Sequence, residues 1–148
     1  MKFIADGMLG RVARWLRLMG YDTLYMNTPH KTEIIRMARK EKRLILTKDR
    51  KLYEENPEIT FYIEGKNTES QLKEIKNKLN LEIDEEKIFS ICSICNVPLV
   101  RKEKEEIKHL VPEYVYNNKE EFSQCPRCGR VYWEGDHCKH IREVIEKL

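Results

Sequence analysis

The chain has 148 residues, 28 Lys and Arg against 25 Asp and Glu, a formal net charge of +3 and 41% apolar residues. That length suits one mid-sized domain or two small ones. No apolar run approaches the ~20 residues of a membrane-spanning helix, and nearly balanced charge with plentiful Ile, Leu and Tyr excludes a disordered chain.

Asp6 comes too early for a secretory signal peptide. Five cysteines without an export signal point to the cytoplasm, where Cys-x-x-Cys pairs hold metal more often than they form disulfides. The charge is unevenly placed: residues 1–51 carry 13 basic and 5 acidic residues, a net of +8, and residues 52–148 net −5. A basic end suits an anionic polymer, although local excesses of this kind also arise as solvated helix faces.

Lys2–Ala5 reads as a short buried strand that ends at Asp6 and is broken by Gly7. Leu9, Val12, Ala13 and Leu16 recur at i, i+3, i+4 and i+7, which predicts a helix directly afterwards, ending at Gly20. Tyr21–Met26 alternates as a strand, with Asp22 a turn residue at its start. Pro29 and Thr32 lead into a second helix with Ile34, Ile35, Met37 and Ala38 on its apolar side. Arg43–Thr47 is a strand around Leu44-Ile45-Leu46, Asp49–Glu55 a helical turn stopped by Pro57, and Ile59–Ile63 a fourth strand. Asn67 or Thr68 caps a helix carrying Leu72, Ile75 and Leu79.

Strands alternating with helices predict an α/β fold, a parallel sheet flanked by helices, with ligands beyond the carboxyl ends of the strands. The expected α/β domain covers residues 1–80 and a connector residues 81–89. From Phe89 the periodicity changes, and residues 90–148 read as a small β module. There Glu113–Asn117 is a short apolar run and Glu143–Leu148 a closing helical turn.

Cys92-Ser93-Ile94-Cys95 and Cys125-Pro126-Arg127-Cys128-Gly129 are two knuckles. Two residues between thiolates let one tight turn present both sulfurs to one ion, and two such turns complete a tetrahedral four-sulfur site. Structural zinc is therefore expected on Cys92, Cys95, Cys125 and Cys128, one ion per chain. A closed site of this kind folds the module and has no open position for catalysis. Cys138 is left over, flanked by His137 and His140; a His/Cys/His site and a spare thiol are both open readings.

Asp6 ends the first strand and Asp49 follows the third. Each alone is accounted for as a helix cap. Together, at one edge of one sheet, they also suit Mg²⁺ or Mn²⁺, which takes one or two protein carboxylates plus water and phosphate oxygens. Glu33, in the first turn of the second helix, is a candidate third acid, and Glu64 and Glu69 flank the loop after the fourth strand. Arg11, Arg14 and Arg17 fall within an arc of ~120° on the first helix, opposite its apolar stripe. Three guanidinium forks in a row suit successive phosphates. Trp15, at the edge of the arc, suits core packing or base stacking.

Three stretches resemble signatures of the Mut-seven C-terminal ribonuclease family. They are Asp6-Gly7-Met8-Leu9-Gly10-Arg11-Val12-Ala13-Arg14-Trp15-Leu16-Arg17-Leu18-Met19-Gly20-Tyr21-Asp22, then Arg43-Leu44-Ile45-Leu46-Thr47-Lys48-Asp49-Arg50, then Cys125 to His137. The resemblance covers nearly the whole chain in order. It implies a PIN-like nuclease fold with a zinc ribbon and an RNA substrate. It carries Asp6 and Asp49 as active-site acids, with Arg11, Arg14 and Arg17 beside them and the four knuckle cysteines on zinc. The family often has an acid where this chain reads His30-Lys31-Thr32, and Glu33 is the nearest acid here.

The expected function is metal-dependent hydrolysis of RNA, with Asp6, Asp49 and Glu33 or Glu64 holding Mg²⁺ or Mn²⁺ and the arginines positioning the strand. The alternative is a zinc-ribbon RNA-binding or RNP-assembly module whose nuclease site is vestigial.

Overall fold

A computed structural model describes all residues, 1–148. Its contacts divide the chain into two compact units, Met1–Asn96 and Val97–Leu148. No helix is long and apolar enough to cross a membrane.

The first unit is built on a four-stranded parallel sheet. Its strands are β1 (Phe3–Asp6), β2 (Thr23–Met26), β3 (Leu44–Thr47) and β4 (Thr60–Tyr62), in the order β2-β1-β3-β4. Four helices connect and flank them: α1 (Gly10–Leu18), α2 (Lys31–Glu41), α3 (Arg50–Glu55) and α4 (Thr68–Lys78). A short 3₁₀ turn, Gly7–Leu9, separates β1 from α1. The α/β alternation predicted from the sequence is thus present, with helix and strand bounds within a few residues.

Period-two alternation sorts the strand side chains onto the two faces of the sheet. Ile4 and Ile45 form one core with Ile34 and Ala38 of α2 and Leu52 of α3. On the other side α1 buries Val12, Ala13 and Leu16, and α4 packs against it with Leu72 and Ile75 buried. Because α1 and α3 leave the sheet toward opposite faces, the crevice between the carboxyl ends of β1 and β3 is the point where the winding reverses. In open α/β sheets that crevice is where ligands bind.

Residues 81–96 fold back over the end of α1. Phe89 N–H donates to Leu18 O at 3.0 Å, the Tyr21 hydroxyl donates to Glu82 O, and Leu81 and Ile88 are buried. Gly20 makes the return possible: its φ is +93°, and a Cβ there would lie 2.6 Å from Lys87 O.

The second unit holds an antiparallel sheet of β5 (Val100–Lys102), β6 (Phe122–Gln124) and β7 (Val131–Tyr132), in that order. It also holds two α-helices that a purely β reading misses. Glu113–Asn118 is helix α5, not an extended run, and Asn118 Nδ2 closes it on Tyr114 O at 2.7 Å. The C-terminal helix α6 runs Asp136–Glu146, well beyond one closing turn. Gly135 begins it in extended conformation and Asp136 sits in its first turn, where the dipole favours an anion. Ile107, Phe122, Ile141 and Ile145 are buried in this unit, together with Cys125.

Candidate active site and metal centre

Asp6 and Asp49 come together at the β1/β3 crevice, and Thr47 joins them. Thr47 is fully buried at the end of β3 and shares a sheet face with Asp6. Its hydroxyl donates to Asp6 Oδ2 at 2.9 Å and accepts the backbone N–H of Asp49 at 2.9 Å. Asp6 Oδ1 also accepts Gly7 N–H at 2.8 Å. Asp49 Oδ1 caps α3 by accepting Leu52 N–H at 3.2 Å. Each acid is therefore a cap, as each alone suggested, and both line one cavity of about 470 Å³ with Gly7, Met8, Asn27, Lys31 and Lys48.

The third acid expected from the sequence is not brought here. Glu33 is exposed on α2 and does not line the cavity. Glu64 is exposed, and Glu69 pairs with Lys73 at 3.1 Å. A lysine arrives instead: Lys31, the first residue of α2, sets its ammonium 2.6 Å from Asp6 Oδ1. Asp6 is 7% exposed and Lys31 35%. Lys48 donates to Gly65 O at 2.8 Å and Ile63 O at 3.4 Å. Thr47, Lys31 and Lys48 are not among the candidate site residues that the sequence points to. Thr47 carried a readable signal, as the polar end of an otherwise apolar strand.

The donor set, two carboxylates with hard oxygen atoms, suits one Mg²⁺ or Mn²⁺ once the Lys31 ammonium leaves Asp6. Lys31 has the exposure and the four-carbon stem to do so.

A second cavity, about 540 Å³, shares Gly7, Met8 and Lys48 with the first. Arg11, Lys66, Tyr25, Asn67, Thr68 and Gln71 also line it. Tyr25 is anchored by its hydroxyl on Gly7 O and lies against Gly10, where an added Cβ would meet the ring at 3.4 Å. Met8 and Tyr25 are exposed. The groove is thus cationic, with an aromatic wall, and runs into the acids.

The three arginines of α1 do not form one row. Arg11 lines the groove, and Arg14 is exposed but outside it. Arg17 is buried: Nε donates to Thr23 O at 2.8 Å, and Nη1 to Ser93 O at 2.9 Å and Ile94 O at 3.3 Å. Burial lowers its pKa, against the opposing pull of Cys92 and Cys95. Its role as a phosphate ligand is corrected: it holds a knuckle.

The sulfurs of Cys92, Cys95, Cys125 and Cys128 all lie within 4.8 Å of one another, an arrangement that can hold a metal ion such as zinc. Cys95 N–H donates to Cys92 Sγ at 3.4 Å. Arg127 and Cys128 N–H both donate to Cys125 Sγ at 3.4 Å. Such N–H groups stabilise thiolates, the form that binds metal. Gly129 closes the second turn at φ +79°. Cys138 stands apart, its thiol donating to Trp133 O at 3.5 Å, and His137 and His140 are exposed on α6.

A family model described as Mut7-C RNAse domain matches residues 1–145. Nothing among curated proteins or solved structures matches the chain.

Proposed function

The chain belongs to the Mut7-C RNAse domain family, and we propose on that basis that it is a ribonuclease of PIN-like type, cleaving RNA at the Asp6–Asp49 cavity. The observation that carries this reading is the Thr47 bridge. It ties the Asp6 carboxylate to the backbone of Asp49 at the winding reversal of the sheet, beside a cationic groove of about 540 Å³.

Arg11, Lys48 and Lys66 would hold phosphates along the groove, and Tyr25 would offer a ring to a base. Thr47 keeps Asp6 turned toward the cavity. Asp6 and Asp49 would hold one Mg²⁺ or Mn²⁺, which when bound lowers the pKa of its water and stabilises charge on the phosphate. The four knuckle cysteines would hold a structural zinc.

The test is cleavage of single-stranded and structured RNA with Mn²⁺ and with EDTA. We expect cleavage only with the metal, and a loss of at least ~100-fold in Asp6→Asn or Asp49→Asn, since the charge that holds the ion has gone. Cleavage that survives EDTA or Asp6→Asn overturns this reading.

A second reading is favoured by one observation, the Lys31 ammonium already seated on Asp6. It makes the chain an RNA-binding module with a silent nuclease site. Tight RNA binding without cleavage under any divalent ion would select it.

A further inference from the structure

Asp6 accepts three hydrogen bonds. Oδ1 accepts Lys31 Nζ at 2.6 Å and Gly7 N–H at 2.8 Å, and Oδ2 accepts the Thr47 hydroxyl at 2.9 Å. Only one of these donors is a charge. The titratable residues lining the cavity are two acids, Asp6 and Asp49, and two lysines, Lys31 and Lys48, so their formal charges cancel. A divalent cation entering here meets no excess of negative charge, and it meets a resident ammonium on the carboxylate it needs.

The two lysines are tied differently. Lys48 is held by the carbonyls of Ile63 and Gly65. Lys31 is held on Asp6, and its stem starts from the first residue of α2 at the cavity edge. A phosphodiester oxygen is a charged acceptor that can take over that ammonium. Once Lys31 has turned to it, Asp6 stays buried with two neutral donors and no counter-ion, which is the condition that draws in a hard cation.

We propose that Lys31 is a resident counter-ion of Asp6: it holds the carboxylate in the absence of substrate and passes to a phosphate oxygen when an RNA strand enters, so that RNA binding and divalent-cation binding at Asp6 favour each other. The inference rests on the reading of this cavity as the phosphodiesterase site. Linkage makes the effect reciprocal: the factor by which RNA tightens the ion equals the factor by which the ion tightens RNA. The free enzyme then holds little metal at Asp6, and metal is recruited where RNA is bound.

The experiment measures Mn²⁺ binding from the paramagnetic resonance signal of the free ion, on the full zinc-loaded chain. Wild type is compared with Lys31→Met and Lys31→Gln, and Asp6→Asn accounts for ions held elsewhere. Lys31→Gln keeps a neutral donor toward Asp6 and so preserves local packing if Met does not. A phosphorothioate RNA decamer is the ligand.

Without RNA, both Lys31 variants should bind Mn²⁺ at least ~10-fold more tightly than wild type, within the usual range of coupling between sites. The decamer should tighten Mn²⁺ binding to wild type by about the same factor and change the variants less than ~2-fold. Equal Mn²⁺ affinity in wild type and both Lys31 variants overturns the counter-ion role and leaves the metal site standing. Mn²⁺ binding no greater than in Asp6→Asn in every chain, with and without RNA, overturns the metal reading and this proposal with it.

Discussion

Arg17 Nη1 lies 2.9 Å from the carbonyl oxygen of Ser93, inside the turn between Cys92 and Cys95. The residue sits on α1, so the helix that follows Asp6 also braces the first cysteine knuckle. Asn96, at the end of that turn, is tied back too: its Oδ1 accepts Thr23 N–H at 2.9 Å and its Nδ2 donates to Asp22 at 2.7 Å. The knuckle is therefore anchored to β2 and α1 from both of its sides.

Replacing Arg17 by Met should destabilise the first unit by about 2–3 kcal/mol. Buried carbonyls of Thr23 and Ser93 lose their donor, and unsatisfied buried acceptors cost about 1–3 kcal/mol each, less what water recovers. The measurement is the urea midpoint at constant m-value. Zinc affinity should fall with it, read by competition with a chromophoric chelator. A midpoint unchanged within error would show that Arg17 does not brace the turn.

RNA binding should separate the arginines that the helical arc grouped together. Arg11→Ala and Lys66→Ala should each reduce the slope of log affinity against log salt by roughly 0.7–0.9, the value for one phosphate contact. Arg17→Met should leave the slope as it is. An equal loss of slope in Arg11→Ala and Arg17→Met would mean that stability, not phosphate contact, governs the measurement.

Chelation should strip order selectively. Metal bound by four thiolates supplies folding free energy to a small module. Amides of residues 97–148 should lose hydrogen-exchange protection on zinc removal, while Ile4, Ala5, Ile45 and Leu46 of the sheet core stay protected. Cys125→Ser should show the same pattern without chelator. Uniform loss of protection along the chain would contradict this.

Acid should weaken the fold partly through Asp22. Burial pushes its pKa up, but the hydrogen bonds from Arg43 and Asn96 outweigh that and hold it below the usual carboxylate value. A depressed folded pKa contributes stability that is complete above the unfolded value of about 3.9 and is lost as pH falls through the lower folded value. Asp22→Asn should thus lower stability near neutral pH and flatten its decline below about pH 4. Parallel acid limbs for variant and wild type would rule out this contribution.

The sheet was legible because its signals are local. Lys2–Ala5, Leu44–Leu46 and the Leu9/Val12/Ala13/Leu16 stripe each state their period within a few residues. Two acids after two parallel strands follow from that sheet, and the structure places Asp6 and Asp49 in one cavity. Arg17 was misread because a helical arc gives an angle and not what lies against it; Ser93 and Ile94 are far along the chain. Lys31 was missed because a long side chain reaches back across a strand–helix loop, which periodicity cannot express. Helix α6 did carry its signal, Ile141, Val144, Ile145 and Leu148 at i, i+3, i+4 and i+7, next to a cysteine motif that suggested strands. In α5, Tyr114 and Tyr116 alternate with polar or smaller neighbours over six residues, too short for either period to win.

The strand order β2-β1-β3-β4 has a consequence for synthesis. Of the four strands the earliest in the chain, β1, is an inner one, and no hairpin can shelter it, because every neighbour is parallel and arrives after a helix. Phe3 must wait for Thr23 on one side and Leu44 on the other, and Arg17 for Ser93. Until then the nascent chain carries an apolar strand with both edges bare, the kind of segment that chaperones hold. A stalled or truncated product ending between β2 and β3 would keep one of those edges open and be the aggregating form of this protein.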